Sequence, residues 1–109
     1  MCSSDLDIYG NNVLVNLDGL VALTTIGTTT NDYLQISSNS ALTSITGLIK
    51  PTGKLASLAG NLQIQSNGAL YTCQPDALKS ALTTAGWART YTQNGNLACS
   101  KSCVGAACQ

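Results

Sequence analysis

"LQISSNSALTSITGL", residues 34–48, is the stretch whose reading decides the fold. It is too polar for a core helix and too irregular for a plain strand. It also has close copies at a fixed distance. "LDIYGNNVLVNLDGL" (residues 6–20) precedes it by 28 residues, and "LQIQSNGALYTC" (residues 62–73) follows it by 28. The anchors are Leu6, Ile8, Asn11, Leu14, Leu17, Gly19 and Leu20 in the first copy. They are Leu34, Ile36, Asn39, Leu42, Ile45, Gly47 and Leu48 in the second, and Leu62, Ile64, Asn67, Leu70 and Cys73 in the third. The shared phrase is L-x-I-x-x-N-x-x-L-x-x-[LI]-x-G-L.

A fixed period in this range predicts a solenoid, because one repeat cannot bury its own apolar face. L-x-I has a period of two, so its apolar side chains share one face of a short strand. The Asn follows at a turn. The later apolar residues come at steps of three, which suits a second short strand or a bend better than an α-helix. The expected fold is therefore mostly β: a short right-handed β-helix of about three coils with a C-terminal capping helix. In that arrangement Leu stacks on Leu, Ile on Ile and Asn on Asn, roughly 4.8 Å apart. A buried amide must be hydrogen-bonded, so Asn11, Asn39 and Asn67 are read as a structural ladder and not as a ligand-binding row. Between the copies lie two dissimilar turn segments, "GTTTND" (residues 27–32) and "KPTGK" (residues 50–54). They supply the candidate binding residues Thr28, Thr29, Thr30, Asp32, Lys50 and Lys54.

The pattern changes after Cys73. "QPDALKSALTTAGW" (residues 74–87) places Pro75 at a first helical position and Asp76 in the first turn. Leu78, Ala81, Leu82 and Ala85 mark an apolar face, and Gly86 ends it. Such a helix covers the open end of the repeats, where strand edges would otherwise be bare. Trp87 is expected to pack over the last repeat. "ARTYTQNGNLAC" (residues 88–99) alternates and turns at Asn94-Gly95, the mark of one more strand.

Bulk composition excludes several classes. In 109 residues the net charge is zero, 9% are charged and 44% hydrophobic. The five cations, Lys50, Lys54, Lys79, Arg89 and Lys101, are scattered, which argues against a nucleic-acid partner. There is no His, so no Ser-His-Asp or Cys-His arrangement can form. The acids are Asp5, Asp7, Asp18, Asp32 and Asp76 with no Glu, and none forms a visible carboxylate pair of the glycosidase kind. The chain is read as not an enzyme, with no cofactor and no metal. No apolar run is long enough to cross a membrane.

Cysteines stand at 2, 73, 99, 103 and 108. Their spacing does not form the two close pairs of a zinc site, so Cys73, Cys99, Cys103 and Cys108 are read as disulfide-forming. Four cysteines allow three pairings, and sequence does not choose among them. The position of Cys73 and Cys99 at either end of the helix–strand segment favours Cys73–Cys99, leaving Cys103–Cys108. Disulfides point to an extracellular or cell-surface location, yet no signal peptide is visible. The opening "MCSSDL" bears on both this and the odd fifth cysteine. Cys-Ser-Ser-Asp-Leu is what TGC TCT TCC GAT CT spells, a string resembling the tail of a sequencing adapter. Residues 1–6 are thus expected to be a sequencing or cloning scar, with the natural chain and its signal peptide extending upstream. The remaining divisions are residues 7–72 for the repeats, 73–99 for a disulfide-bracketed cap and 100–109 for a cysteine-containing tail.

Across about residues 6–99 the repeat phrase resembles the receptor L-domain and its microbial relatives, which are leucine-rich-repeat-like, right-handed β-helical domains. The helical cap with a Cys73–Cys99 bracket is similar to that family's ending. The chain departs from ordinary leucine-rich repeats in two ways. Its Asn is followed by Leu after three residues where two is usual. Asn31 and Ala59 also stand where a Leu is expected. Both departures favour a compact β-helix over a horseshoe with outer helices. The resemblance implies a non-catalytic binding, adhesion or receptor-ectodomain module, a fragment of a larger surface protein, taking a protein or glycan ligand. It transfers no ligand residue. An ice- or surface-binding Thr array and a purely structural spacer are the alternative functions. The Thr residues do not recur at the repeat period, which weakens the ice-binding reading.

Overall fold

The computed structural model describes residues 5–109. Cys2 and most of the expected scar lie outside the described residues. Strands β1 (Leu6–Tyr9), β3 (Leu34–Ser37), β5 (Leu62–Gln65) and β6 (Tyr91–Asn94) form one four-stranded parallel sheet in the order β1-β3-β5-β6. The repeat sets its register: Leu6 faces Leu34, which faces Leu62, and Ile8 faces Ile36, which faces Ile64. Leu34, Ile36, Leu62 and Ile64 are fully buried. Each contributes about 1.5–3 kcal/mol of apolar transfer. The alternate positions, Gln35, Gln63 and Thr92 among them, form the polar outer face.

The expected closed β-helix is not what the chain builds. Among the described residues the strands lie in three separate open sheets, none of which closes. Besides the main sheet there is a two-residue pair, β2 (Thr25–Ile26) with β4 (Ser57–Leu58), and an antiparallel hairpin of β7 (Cys103–Val104) and β8 (Ala107–Cys108). The reason is local. The segments expected to supply a second full strand give only isolated bridges, Asn16–Ser44 and Tyr71–Leu97, and in the first two repeats they then tighten into 3-10 turns at Asp18–Leu20 and Thr46–Leu48. In the third repeat the corresponding place is taken by helix α1 (Cys73–Thr84). The described residues form a small domain of short strands, mostly in parallel sheets, with one α-helix.

Helix α1 buries Cys73, Pro75, Leu78 and Leu82 against the core. Ala85, expected on that face, caps the helix and is exposed. Gly86 follows with φ +106°, a left-handed conformation that ends the helix without a side-chain clash. Trp87 is buried, and its indole N–H donates to the Gly60 carbonyl at 2.9 Å.

Candidate functional site

The Asn positions lie at the end of each strand. The residue before each one, Gly10, Ser38, Ser66 and Gly95, has φ between 57° and 68°. This left-handed residue turns the chain so that the next side chain points inward. Asn39 Oδ1 accepts from Asn11 N at 3.0 Å and Asn11 Nδ2 at 3.1 Å. Asn67 Oδ1 accepts from Asn39 N and Nδ2, both at 3.1 Å. Each Nδ2 also reaches back one strand: Asn39 donates to the Ile8 carbonyl and Asn67 to the Ile36 carbonyl, each at 3.0 Å. Asn96 is a fourth member that sequence reasoning missed. Its Oδ1 accepts from Asn67 N and Nδ2, and its Nδ2 donates to the Ile64 carbonyl. It escaped notice because its step is 29 residues, helix α1 lies between, and Gln93 stands where Ile is expected. The "NGN" ending of that segment was the available signal. Asn39 and Asn67 are completely buried, so these amides are spent on the backbone and on each other.

The candidate loop residues separate into three groups. Thr28, Thr29 and Thr30 line a cleft of about 430 Å³ with Leu58, Ala59 and the 86–89 segment, including Arg89. Asp32 is buried and organises the same loop. Its Oδ2 accepts from Thr28 N at 2.9 Å and Thr29 N at 3.0 Å. Gly27, with φ +79°, lies against the Asp32 side chain where a β-carbon would collide. Asp32 therefore shapes the loop, while the Thr residues are exposed along the cleft. Lys50 lines a different cleft of about 590 Å³, between residues 46–52, α1 and the C-terminal hairpin. Lys54 is exposed and lines neither.

The larger cleft has a mainly apolar wall that includes Ile49, Pro51, Ala77, Ala81 and Ala106, with Thr46, Lys50, Thr52, Asp76 and Ser80 as polar groups. Asp76 Oδ1 accepts from the Tyr91 hydroxyl at 2.7 Å. Burial, then that hydrogen bond and the carboxylate charge, push the Tyr91 phenol above its ordinary value. Gln74 ties the cleft's surroundings together, accepting from Ile45 N at 2.8 Å and donating to the Ala106 carbonyl at 3.0 Å.

All four cysteines of the C-terminal region are disulfide-bonded, but not in the favoured pairing. The bonds are Cys73–Cys103 and Cys99–Cys108. The bracket Cys73–Cys99 does not form even though Leu97 pairs with the 70–72 segment, Leu97 N donating to Leu70 O and Thr72 N to Leu97 O, and brings Cys99 close to Cys73. The chain then continues and returns as the hairpin, so that Cys103 reaches Cys73 at the start of α1. The sulfurs of Cys73, Cys99 and Cys108 lie within 4.8 Å of one another, with each held in a disulfide. Two disulfides are more typical of extracellular proteins. No helix among the described residues is long and apolar enough to cross a membrane. No family model, curated protein or solved structure matches the chain.

Proposed function

We propose that the chain is a non-catalytic recognition module of an extracellular or cell-surface protein, taking a polar ligand, a glycan or a protein loop, in the cleft between Thr28–Thr30 and Arg89. The observation that carries this reading is the meeting of two segments far apart in sequence. Three exposed Thr residues come from the loop between repeats, and Arg89 comes from the segment after the helix. Hydroxyls and one guanidinium beside an aliphatic floor of Leu58 and Ala59 suit a neutral or weakly anionic polar ligand. The loop is shaped by Asp32 before any ligand arrives, so little ordering entropy opposes binding. The resemblance to receptor L-domains supports the same class of function. The test is a glycan array and a panel of surface proteins probed with the intact disulfide-bonded chain. Ligands retained by the unaltered protein should be lost with Arg89→Ala or Thr29→Val. Binding that survives both substitutions would move the site elsewhere.

A further inference from the structure

Among the described residues the open sheet ends at β1, and that end is unlike the rest of the repeats. Leu6 N and Gly10 N donate to the Tyr33 and Ser37 carbonyls of the neighbouring strand segment. The intervening Asp7 and Tyr9 therefore turn their backbone groups to the free edge. Leu6, Ile8, Leu14 and Leu20 are only partly buried, whereas their counterparts Leu34, Ile36, Leu42 and Leu48 are 0% exposed. Asn11 is the end of the amide ladder. Its Nδ2 donates to its own strand's Tyr9 carbonyl at 3.2 Å, where Asn39 and Asn67 reach a preceding strand. Among the described residues nothing donates to its Oδ1, the atom that in Asn39, Asn67 and Asn96 accepts twice. The glycines of the phrase give an independent measure of the same open end. A β-carbon on Gly47 would collide with the Leu17 carbonyl of the preceding repeat, while at Gly19 it would meet nothing within 4 Å.

We infer that this end is a docking surface for a partner polypeptide segment carrying the same phrase, Leu-x-Ile-x-x-Asn-x-x-Leu. The segment adds to β1 as a parallel strand. Its Leu and Ile cover the half-exposed apolar residues. Its Asn N–H and Nδ2 donate to Asn11 Oδ1, and its Ile carbonyl accepts from Asn11 Nδ2. The backbone carbonyl three residues past its second Leu rests on Gly19, as Leu17 rests on Gly47. The polar outer row and the Asn register make an unrelated strand a poor substitute, because it leaves Asn11 unmatched.

The test presents the segment at high effective concentration. A second copy of residues 33–60 is fused ahead of Met1 through a flexible Gly-Ser linker, leaving the full chain intact. Amide exchange at Asp7 and Tyr9 should slow by at least about tenfold relative to the unfused chain. A control insert, with Ser replacing Leu, Ile and Asn of the phrase, should give no protection. Gly19→Ala supplies the second measurement. In the unfused chain it should leave the Tm unchanged or slightly higher, since it meets open space and reduces unfolded-state freedom. In the fused chain it should abolish the protection. Equal protection by the control insert, or protection unaffected by Gly19→Ala, would overturn the inference, as would an unprotected edge in the unaltered fusion.

Discussion

The side-chain oxygen of Asn67 accepts two hydrogen bonds from one residue, Asn39, through its backbone N–H and its Nδ2, both at 3.1 Å and fully buried. One atom thereby satisfies two donors on the adjoining strand 28 residues away. Asn67→Ala leaves the Asn39 N–H without its partner in the interior and takes away the side-chain donor to the Ile36 carbonyl, which keeps its place in the β3–β5 ladder. At about 1–3 kcal/mol for the orphaned N–H and roughly 1 kcal/mol for a lost hydrogen bond, the loss should exceed about 2 kcal/mol in urea unfolding. Asn11→Ala, at the exposed end of the ladder, should cost less than about 1 kcal/mol. Equal losses would mean that the ladder does not act through buried satisfaction.

The disulfide pairing is open to direct chemistry. Trypsin cuts after Lys54, Lys79, Arg89 and Lys101, leaving Cys73, Cys99 and the Cys103/Cys108 pair on three peptides. The observed bonds join all three into one non-reduced species. The pairing Cys73–Cys99 with Cys103–Cys108 would instead leave residues 102–109 as a free peptide. Fragmentation between Cys103 and Cys108 assigns the partner of each.

Chain entropy predicts unequal effects for the two bonds. The Cys73–Cys103 bond spans 30 residues and the Cys99–Cys108 bond 9. The corresponding contributions are about 3.6 and about 2.6 kcal/mol. The double variant Cys73→Ser/Cys103→Ser should therefore melt below Cys99→Ser/Cys108→Ser in parallel calorimetry.

Ser38 and Ser66 hold left-handed φ values of 57° and 59° at positions where the outer strands use Gly10 and Gly95. A side chain in this conformation costs roughly 1–2 kcal/mol, partly offset in Gly by its freer unfolded state. Ser38→Gly and Ser66→Gly should each be neutral or stabilising by up to about 1 kcal/mol. A clear loss of stability would show that the serine side chain itself contributes.

Tyr91 donates to Asp76 at 2.7 Å, and burial and that contact raise its phenol. In the unfolded chain the phenol ionises near pH 10. Because the folded value is higher, the unfolded state releases its proton first. The stabilisation is therefore complete below about pH 10 and declines as pH rises beyond it. Tyr91→Phe should lower stability at neutral pH and flatten this alkaline decline. An identical alkaline slope in both proteins would remove Tyr91 as its source.

The repeat is legible because its chemistry is local. L-x-I has the strand period, and the Asn after a turn residue recurs at a constant 28, so register and core positions follow from spacing alone. Leu34, Ile36, Leu62 and Ile64 are where that pattern puts them. The helix is legible for the same reason. Closure is not. Whether a segment such as residues 42–48 becomes a strand or a 3-10 turn depends on what lies opposite, and Ser44 finds only a single bridge to Asn16. The cleft is half legible. Its Thr loop stands out as turn chemistry, but Arg89 reads as one scattered cation along the chain and meets the loop only through the return of the chain after α1.

What the sequence determined by itself is the strand register, the buried apolar rows and the first three amides of the ladder, because each follows from spacing along the chain. Only the tertiary structure decided that the sheets stay open, that Asn96 completes the ladder, that Cys73 bonds to Cys103, and that Thr28–Thr30 meet Arg89. The first outcome depends on what lies opposite residues 42–48; the other three depend on where the chain goes after helix α1, and that path is set by packing against the core rather than by any local period.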